Sequence, residues 1–194
     1  MHKSALSRSQ EEIGIARRKL EEIKACRDVR QTAELWSELL MRIQRTYAKL
    51  EQGSKRTTSE GWFAAVKRLR QSDDLLKYVS EARHVDEHGV ERIVARRDGS
   101  FALKAKHSGT IFIKSMTVGP SGITIDRDAA EHFDFVVEAA SVTLVDVRAR
   151  DGSIVPVPKR HLENAVSSTA LVDIGELAVS FWEAQVAKAQ TMVA

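Results

Sequence analysis

The residues best able to do chemistry stand together at Arg83-His84-Val85-Asp86-Glu87-His88, followed by Gly89. An imidazole titrates near neutral pH and can both accept and return a proton. A guanidinium stays charged and grips phosphate oxygens in bidentate fashion. Arg83 and His88 lie five residues apart, about 140° around an ideal helix. They converge only if the helix loosens before Gly89, or if two copies of the chain supply complementary groups. His84 and His88 are four apart and share a helix face, the spacing of a two-histidine metal clamp. His107, His161 or Asp126 could complete such a clamp. The intervening Val85-Asp86-Glu87 is not the His-Glu-x-x-His order of zinc proteases, however, so neither a metal nor a cofactor is expected. A purely structural alternative stands beside these: Arg83 pairs with Asp86 or Glu87, and His88 closes a last helical turn, where the helix dipole favours a cation.

An arginine, a polar residue, three further residues and a histidine is a pattern that resembles the signature of the HEPN superfamily. The resemblance implies a helical bundle that dimerises and acts as a metal-independent RNA endonuclease of the kind found in toxin and defence systems. It also implies roles: His88 as general base or acid toward a ribose 2′-hydroxyl, Arg83 as the group that stabilises phosphate charge, and His84 as the polar residue that orients the pair. It covers residues 1–89 and the final helix, and the strand-rich part has no counterpart in the minimal family fold. Arg127-Asp128-Ala129-Ala130-Glu131-His132 fits the same pattern, but where a strand end passes into a short helix. Two functions follow as expectations. One is a HEPN-like RNA endonuclease or RNA-binding protein carried by Arg83, His84 and His88. The other is a non-catalytic protein–protein interaction or scaffold protein in which those residues are structural.

The elements that must position these residues can be read from periodicity. Ser9 and Glu12 fit a capping box, and Ile13, Ala16, Leu20 and Ile23 then predict a helix over 9–27. Asp28 is a second N-cap, and Trp36, Leu40, Ile43, Tyr47 and Leu50 make a coiled-coil-like seam that Gly53 ends. The two helices form an antiparallel hairpin or one continuous rod. Thr57 and Glu60 cap a third helix carrying Trp62, Phe63, Val66 and Leu69. Ser72-Asp73-Asp74 opens a fourth, with Leu75, Leu76, Val79 and Ala82 inward and Gly89 as its C′ residue.

Beyond Gly89 the period becomes two. Asp98-Gly99 and Asp151-Gly152 predict hairpins, Ile111–Ile113 and Ile123–Ile125 a further strand pair, 128–138 a short helix, and Val142–Val147 a buried strand. Pro156 and Pro158 make the last extended segment an edge or an exit. Lys159-Arg160-His161 is a small basic cluster after a strand, a phosphate contact or, more often, a loop. From Ser168 onward Leu171, Ile174, Ala178, Phe181, Trp182 and Val186 restore a helical period. The expected architecture is therefore α+β: a helical bundle (1–89), an antiparallel β-rich region (90–161) and a C-terminal helix (162–194) that packs back on the bundle, in one compact unit. Trp36, Trp62 and Trp182 fall at core spacings.

Composition bounds the function classes. The chain has 194 residues, 43% hydrophobic and 29% charged, as in an ordinary globular protein. The net charge is +3, and residues 1–60 hold 13 Lys/Arg against 9 Asp/Glu, so the positive excess sits on the first helices. That suits RNA, or a solvated helical face. The lone cysteine, Cys26, excludes an intramolecular disulfide and a thiolate zinc site. With neither a leader-like apolar run nor eighteen consecutive apolar residues, a cytoplasmic protein off the membrane, homodimeric through an apolar helix face, is expected. No glycine-rich phosphate loop, Gly-x-Ser-x-Gly elbow or Cys/His zinc framework occurs, which removes support from the common NTPase and hydrolase classes.

Overall fold

The computed structural model describes residues 1–89, 91–107, 113–119, 122–126 and 130–193. These fall into two units, Met1–Arg96 with Val142–Ala194, and Arg97–Ser141. The division runs at 96/97 and 141/142. The architecture is α+β, with N-terminal helices, a strand-rich middle and a C-terminal helix.

The first unit is built on α1 (Lys3–Ala25) and α2 (Val29–Ser54), an antiparallel hairpin rather than one rod. The break has a clear cause: the Asp28 carboxylate accepts from the N–H groups of Arg30 and Gln31, both at 2.8 Å, and starts a new helix there. Trp36, Leu40, Ile43, Tyr47 and Leu50 are all buried, as their spacing requires. Gly53 does not end α2. It sits inside the helix, where a Cβ would lie 2.6 Å from Met1 Sδ and 2.7 Å from Ala5 Cβ, so its role is close approach to α1.

α3 (Glu60–Ser72) and α4 (Asp74–His88) follow. Thr57 and Glu60 do not form a capping box. Thr57 Oγ1 donates to Ser54 O, and Glu60 Oε2 accepts from the Arg56 N–H, because the chain reverses through Arg56 at φ 55°. At Asp73 the expected cap is present, with Oδ1 accepting from Leu76 N at 2.9 Å. Gly89 caps α4 in an extended conformation (φ −95°), its N–H on Val85 O at 2.7 Å; a Cβ would come within 2.6 Å of that oxygen. The requirement is space rather than a left-handed turn.

α5 (Leu171–Gln190) packs against α1, α2 and α4, returning to the bundle. Trp36 and Trp182 are fully buried, while Trp62 is half-buried against Phe63. Arg17 of α1 binds Glu176 and Glu183 of α5, the latter at 2.6 Å. None of the described helices is long and apolar enough to cross a membrane.

Short strand pairs complete this unit. β1 (Val94–Arg97) is hydrogen-bonded to β6 (Ser141–Leu144), β7 (Val147–Arg148) to β8 (Ile154–Val155), and β9 (Arg160–His161) to β10 (Asn164–Ala165). The expected strand over 142–147 is thus broken at 145–146, where Val145 O accepts from the Tyr78 hydroxyl at 2.8 Å. Asp151-Gly152 does make a hairpin: Gly152 lies at φ 83°, and Asp151 Oδ1 binds Ser153 N at 2.9 Å.

In the second unit β2 (Ser100–Ala105) pairs antiparallel with β5 (Phe133–Glu138), and β3 (Met116–Gly119) with β4 (Gly122–Ile125). Asp98-Gly99 therefore joins two strands that pair elsewhere and makes no hairpin. Residues 133–138 are a strand rather than the end of a helix, since Phe133, Phe135 and Val137 alternate in register with Ala105, Leu103 and Phe101. The pair expected at 111–113 with 123–125 forms instead from Met116 onward. Residues 111 and 112 lie outside the described residues.

Candidate functional site

α4 buries Leu75, Leu76, Tyr78, Val79, Ala82 and Val85, which leaves Lys77, Glu81, His84 and His88 on another face. Beside it, α3 contributes Arg70 and the β7–β8 turn contributes Arg150. Together they enclose a cleft of about 420 Å³ lined by Arg70, Lys77, Glu81, Arg83, His84 and Arg150, with neutral Gln44, Gln71 and Ser80 between them. The turn is held over α4 by the Tyr78–Val145 bond; burial first, and Asp146 second, push the Tyr78 hydroxyl pKa up and keep it a donor.

Arg70 is the unusual member. Its Nη2 donates to Gln44 Oε1 and Ser80 Oγ, both at 2.6 Å, and its guanidinium carbon lies 4.0 Å from the Tyr47 ring centroid. None of the described carboxylates is within ion-pair distance of it. Burial pulls its pKa below the ordinary guanidinium value. Tyr47, and after it Glu81 and Glu51, oppose this effect, and Glu81 Oε2 is enclosed with no hydrogen-bond partner among the described residues.

The three motif residues are brought near one another and then divided. Arg83 Nη2 forms a short ion pair with Glu87 Oε2, and His88 Nε2 lies 3.1 Å from the same oxygen. The His84 and His88 rings are 5.0 Å apart. Arg83 and His84 line the cleft; His88 does not, and its side chain is 58% exposed. The helix stays regular through His88, so the five-residue offset is bridged by Glu87 rather than by loosening. Asp86, the other candidate partner for Arg83, accepts from Ser37 Oγ at 3.0 Å. Of the second copy of the pattern, residues 127–129 lie outside the described residues.

His84 has a defined tautomer. Arginine only donates, so the 2.9 Å contact from Arg150 Nη2 makes His84 Nδ1 an acceptor and leaves the proton on Nε2. Partial burial, then the charges of Arg150 and His88, hold this imidazole below its ordinary pKa, so it is neutral at pH 7. With Nδ1 occupied, His84 is not free for a metal through that atom. Among the described residues no three His, Cys, Asp or Glu cluster as a metal site. Two of the three further ligands suggested by sequence are engaged elsewhere: His161 Nδ1 meets Asp73 Oδ1 at 3.0 Å, and Asp126 Oδ2 accepts from Lys114 N at 2.8 Å.

Four charged cleft residues, Arg70, Lys77, Glu81 and Arg150, are not marked by the sequence patterns. Lys77, Glu81 and His84 form an i, i+4, i+7 stripe opposite the apolar face of α4, a signal that was legible in principle. Arg70 and Arg150 arrive only through tertiary structure. His161 is a different correction: it is buried in β9 against Phe181 rather than part of a basic loop. No protein-family model, curated protein or solved structure matches the chain.

Proposed function

We propose that the protein binds single-stranded RNA through the cleft of α3, α4 and the β7–β8 turn. The observation that carries this is Arg70, a largely buried guanidinium held by neutral partners beside Lys77, Arg83 and Arg150. An enclosed cation without a bonded acid is costly unless an anion arrives, and phosphate oxygens suit guanidinium forks. A cleft of about 420 Å³ has room for one nucleotide-sized group. RNA is chosen as the polymer on the resemblance of Arg83, His84 and His88 to the HEPN pattern. Metal-independent cleavage is a second reading, favoured by the neutral His84 imidazole beside Arg83 and Arg150. In it His88 acts only after leaving Glu87.

The test is equilibrium binding of a single-stranded RNA across a salt series. Arg150→Ala and Lys77→Ala, both at exposed positions, should each weaken binding and lower the salt slope by about 0.7. Saturable binding that neither change touches, or no binding at low salt, would sink the reading. Cleavage without metal, lost in Arg83→Ala and His84→Ala, would support the second.

A further inference from the structure

We infer that the cleft holds a phosphate monoester, the phosphorylated end of a strand, in preference to an internal phosphodiester. This rests on the RNA-binding reading and narrows its ligand. The argument is charge balance in a confined volume. Arg70, Lys77, Arg83 and Arg150 line the cleft, Glu81 is its one carboxylate, Glu87 is paired to Arg83, and His84 is neutral, so a net charge of +2 remains. An internal phosphodiester brings one negative charge. A monoester brings about −1.5 to −2 at pH 7 on three acceptor oxygens.

Volume decides between balancing this charge with two diesters or with one monoester. About 420 Å³ lies at the small end of the ~300–1,000 Å³ usual for small-molecule sites. It has room for one nucleotide-sized group, so a single doubly charged phosphate can sit among all four cations, whereas the two diesters that flank an internal nucleotide are held apart by its sugar. The donors come from three separate elements, α3, α4 and the β7–β8 turn. Such a convergent set matches a tetrahedral group with three free oxygens better than a diester with two. Arg150 is the adjustable member. Its present partner is His84 Nδ1, a neutral acceptor that a phosphate oxygen readily replaces.

The experiment is calorimetric titration of the whole chain with short single-stranded RNAs of one sequence. They carry a 5′-phosphate, a 3′-phosphate or hydroxyls at both ends. One phosphorylated end should bind about tenfold more tightly than the hydroxyl form, the lower end of what an added charge-assisted hydrogen bond contributes. Which end wins identifies the source of the monoester. The Lys77→Ala/Arg150→Ala double variant should close most of that gap. Equal affinity for all three RNAs would overturn the inference and leave the RNA-binding reading standing. A gap unchanged in the double variant would overturn it too, by showing that the end is held elsewhere. Absence of binding by every RNA would remove both.

Discussion

Asp73 offers the sharpest test of how the cleft-bearing helix is held. Its carboxylate is almost fully buried and accepts from three donors: Leu76 N at 2.9 Å, Leu162 N at 2.8 Å and His161 Nδ1 at 3.0 Å. One bond caps α4; the other two anchor the β9–β10 hairpin, whose tip, Leu162 and Glu163, lies at φ 47° and 69°. Non-glycine residues there cost of order 1–2 kcal/mol each, so the hairpin depends on an outside anchor. Asp73→Ala removes the cap, worth about 1 kcal/mol, and leaves two buried donors unmatched at roughly 1–3 kcal/mol each. The expected loss is ~3–7 kcal/mol, a fall in Tm of about 10 °C or more for a chain of this size. Asp73→Asn keeps one carbonyl acceptor and should lose only ~1–2 kcal/mol. Burial pushes the Asp73 carboxyl pKa up, but the Leu162 and Leu76 amides and His161 outweigh it and hold the pKa below the ordinary carboxylate value. Its contribution is therefore complete above the unfolded value of about 3.9 and disappears as pH falls through the lower folded one. Thermal unfolding followed by circular dichroism should give a wild-type to Asp73→Ala difference that is constant from neutral pH to about 5 and shrinks below 4. A Tm within about 2 °C of wild type at pH 7, or an Asn variant as damaged as the Ala variant, would refute the anchoring argument.

Three further substitutions probe the frame. A Cβ at Gly175 would meet Leu20 Cδ1 at 2.9 Å, Leu39 Cδ2 at 3.3 Å and Trp36 Cζ3 at 3.4 Å, whereas at Gly14 nothing lies within 4 Å. Gly14→Ala should stabilise by ~0.5–1 kcal/mol and Gly175→Ala destabilise by ~1 kcal/mol or more; denaturant titration showing both as stabilising would contradict the close packing of α5. Gly152→Ala places a side chain at φ 83°. It should cost ~1–2 kcal/mol and also weaken RNA binding, because the same turn carries Arg150. Lost stability with unchanged affinity would detach Arg150 from the site.

The helices were legible because their signals are local. The Asp28 and Asp73 caps and the Trp36–Leu50 seam need no information from the rest of the chain. The glycines answer to less local demands. Gly89 does stop α4, as its place after the last periodic residue suggests, but at both Gly53 and Gly89 the lack of a Cβ answers to Met1, Ala5 and Val85 O, contacts that spacing does not announce. Asp98-Gly99 carries the same dipeptide as Asp151-Gly152, yet only the second turns a hairpin, since the strands flanking the first find other partners. The site divides the same way. Arg83 and His84 were marked by their place on α4, while Arg70 needed Gln44, Ser80 and Tyr47, and Arg150 needed a turn 66 residues from His84.

The contact between α1 and α5 also sets an order of events during synthesis. Arg17 meets Glu183 across 166 residues, and Gly175 lies close against Leu20, Trp36 and Leu39, so part of their cover arrives with α5. While the ribosome is still making the strands, the α1–α2 hairpin therefore carries an uncovered apolar stripe that α5 will close. Such a nascent hairpin is a natural client for a holdase, and translation speed through the strand-rich stretch sets how long it waits.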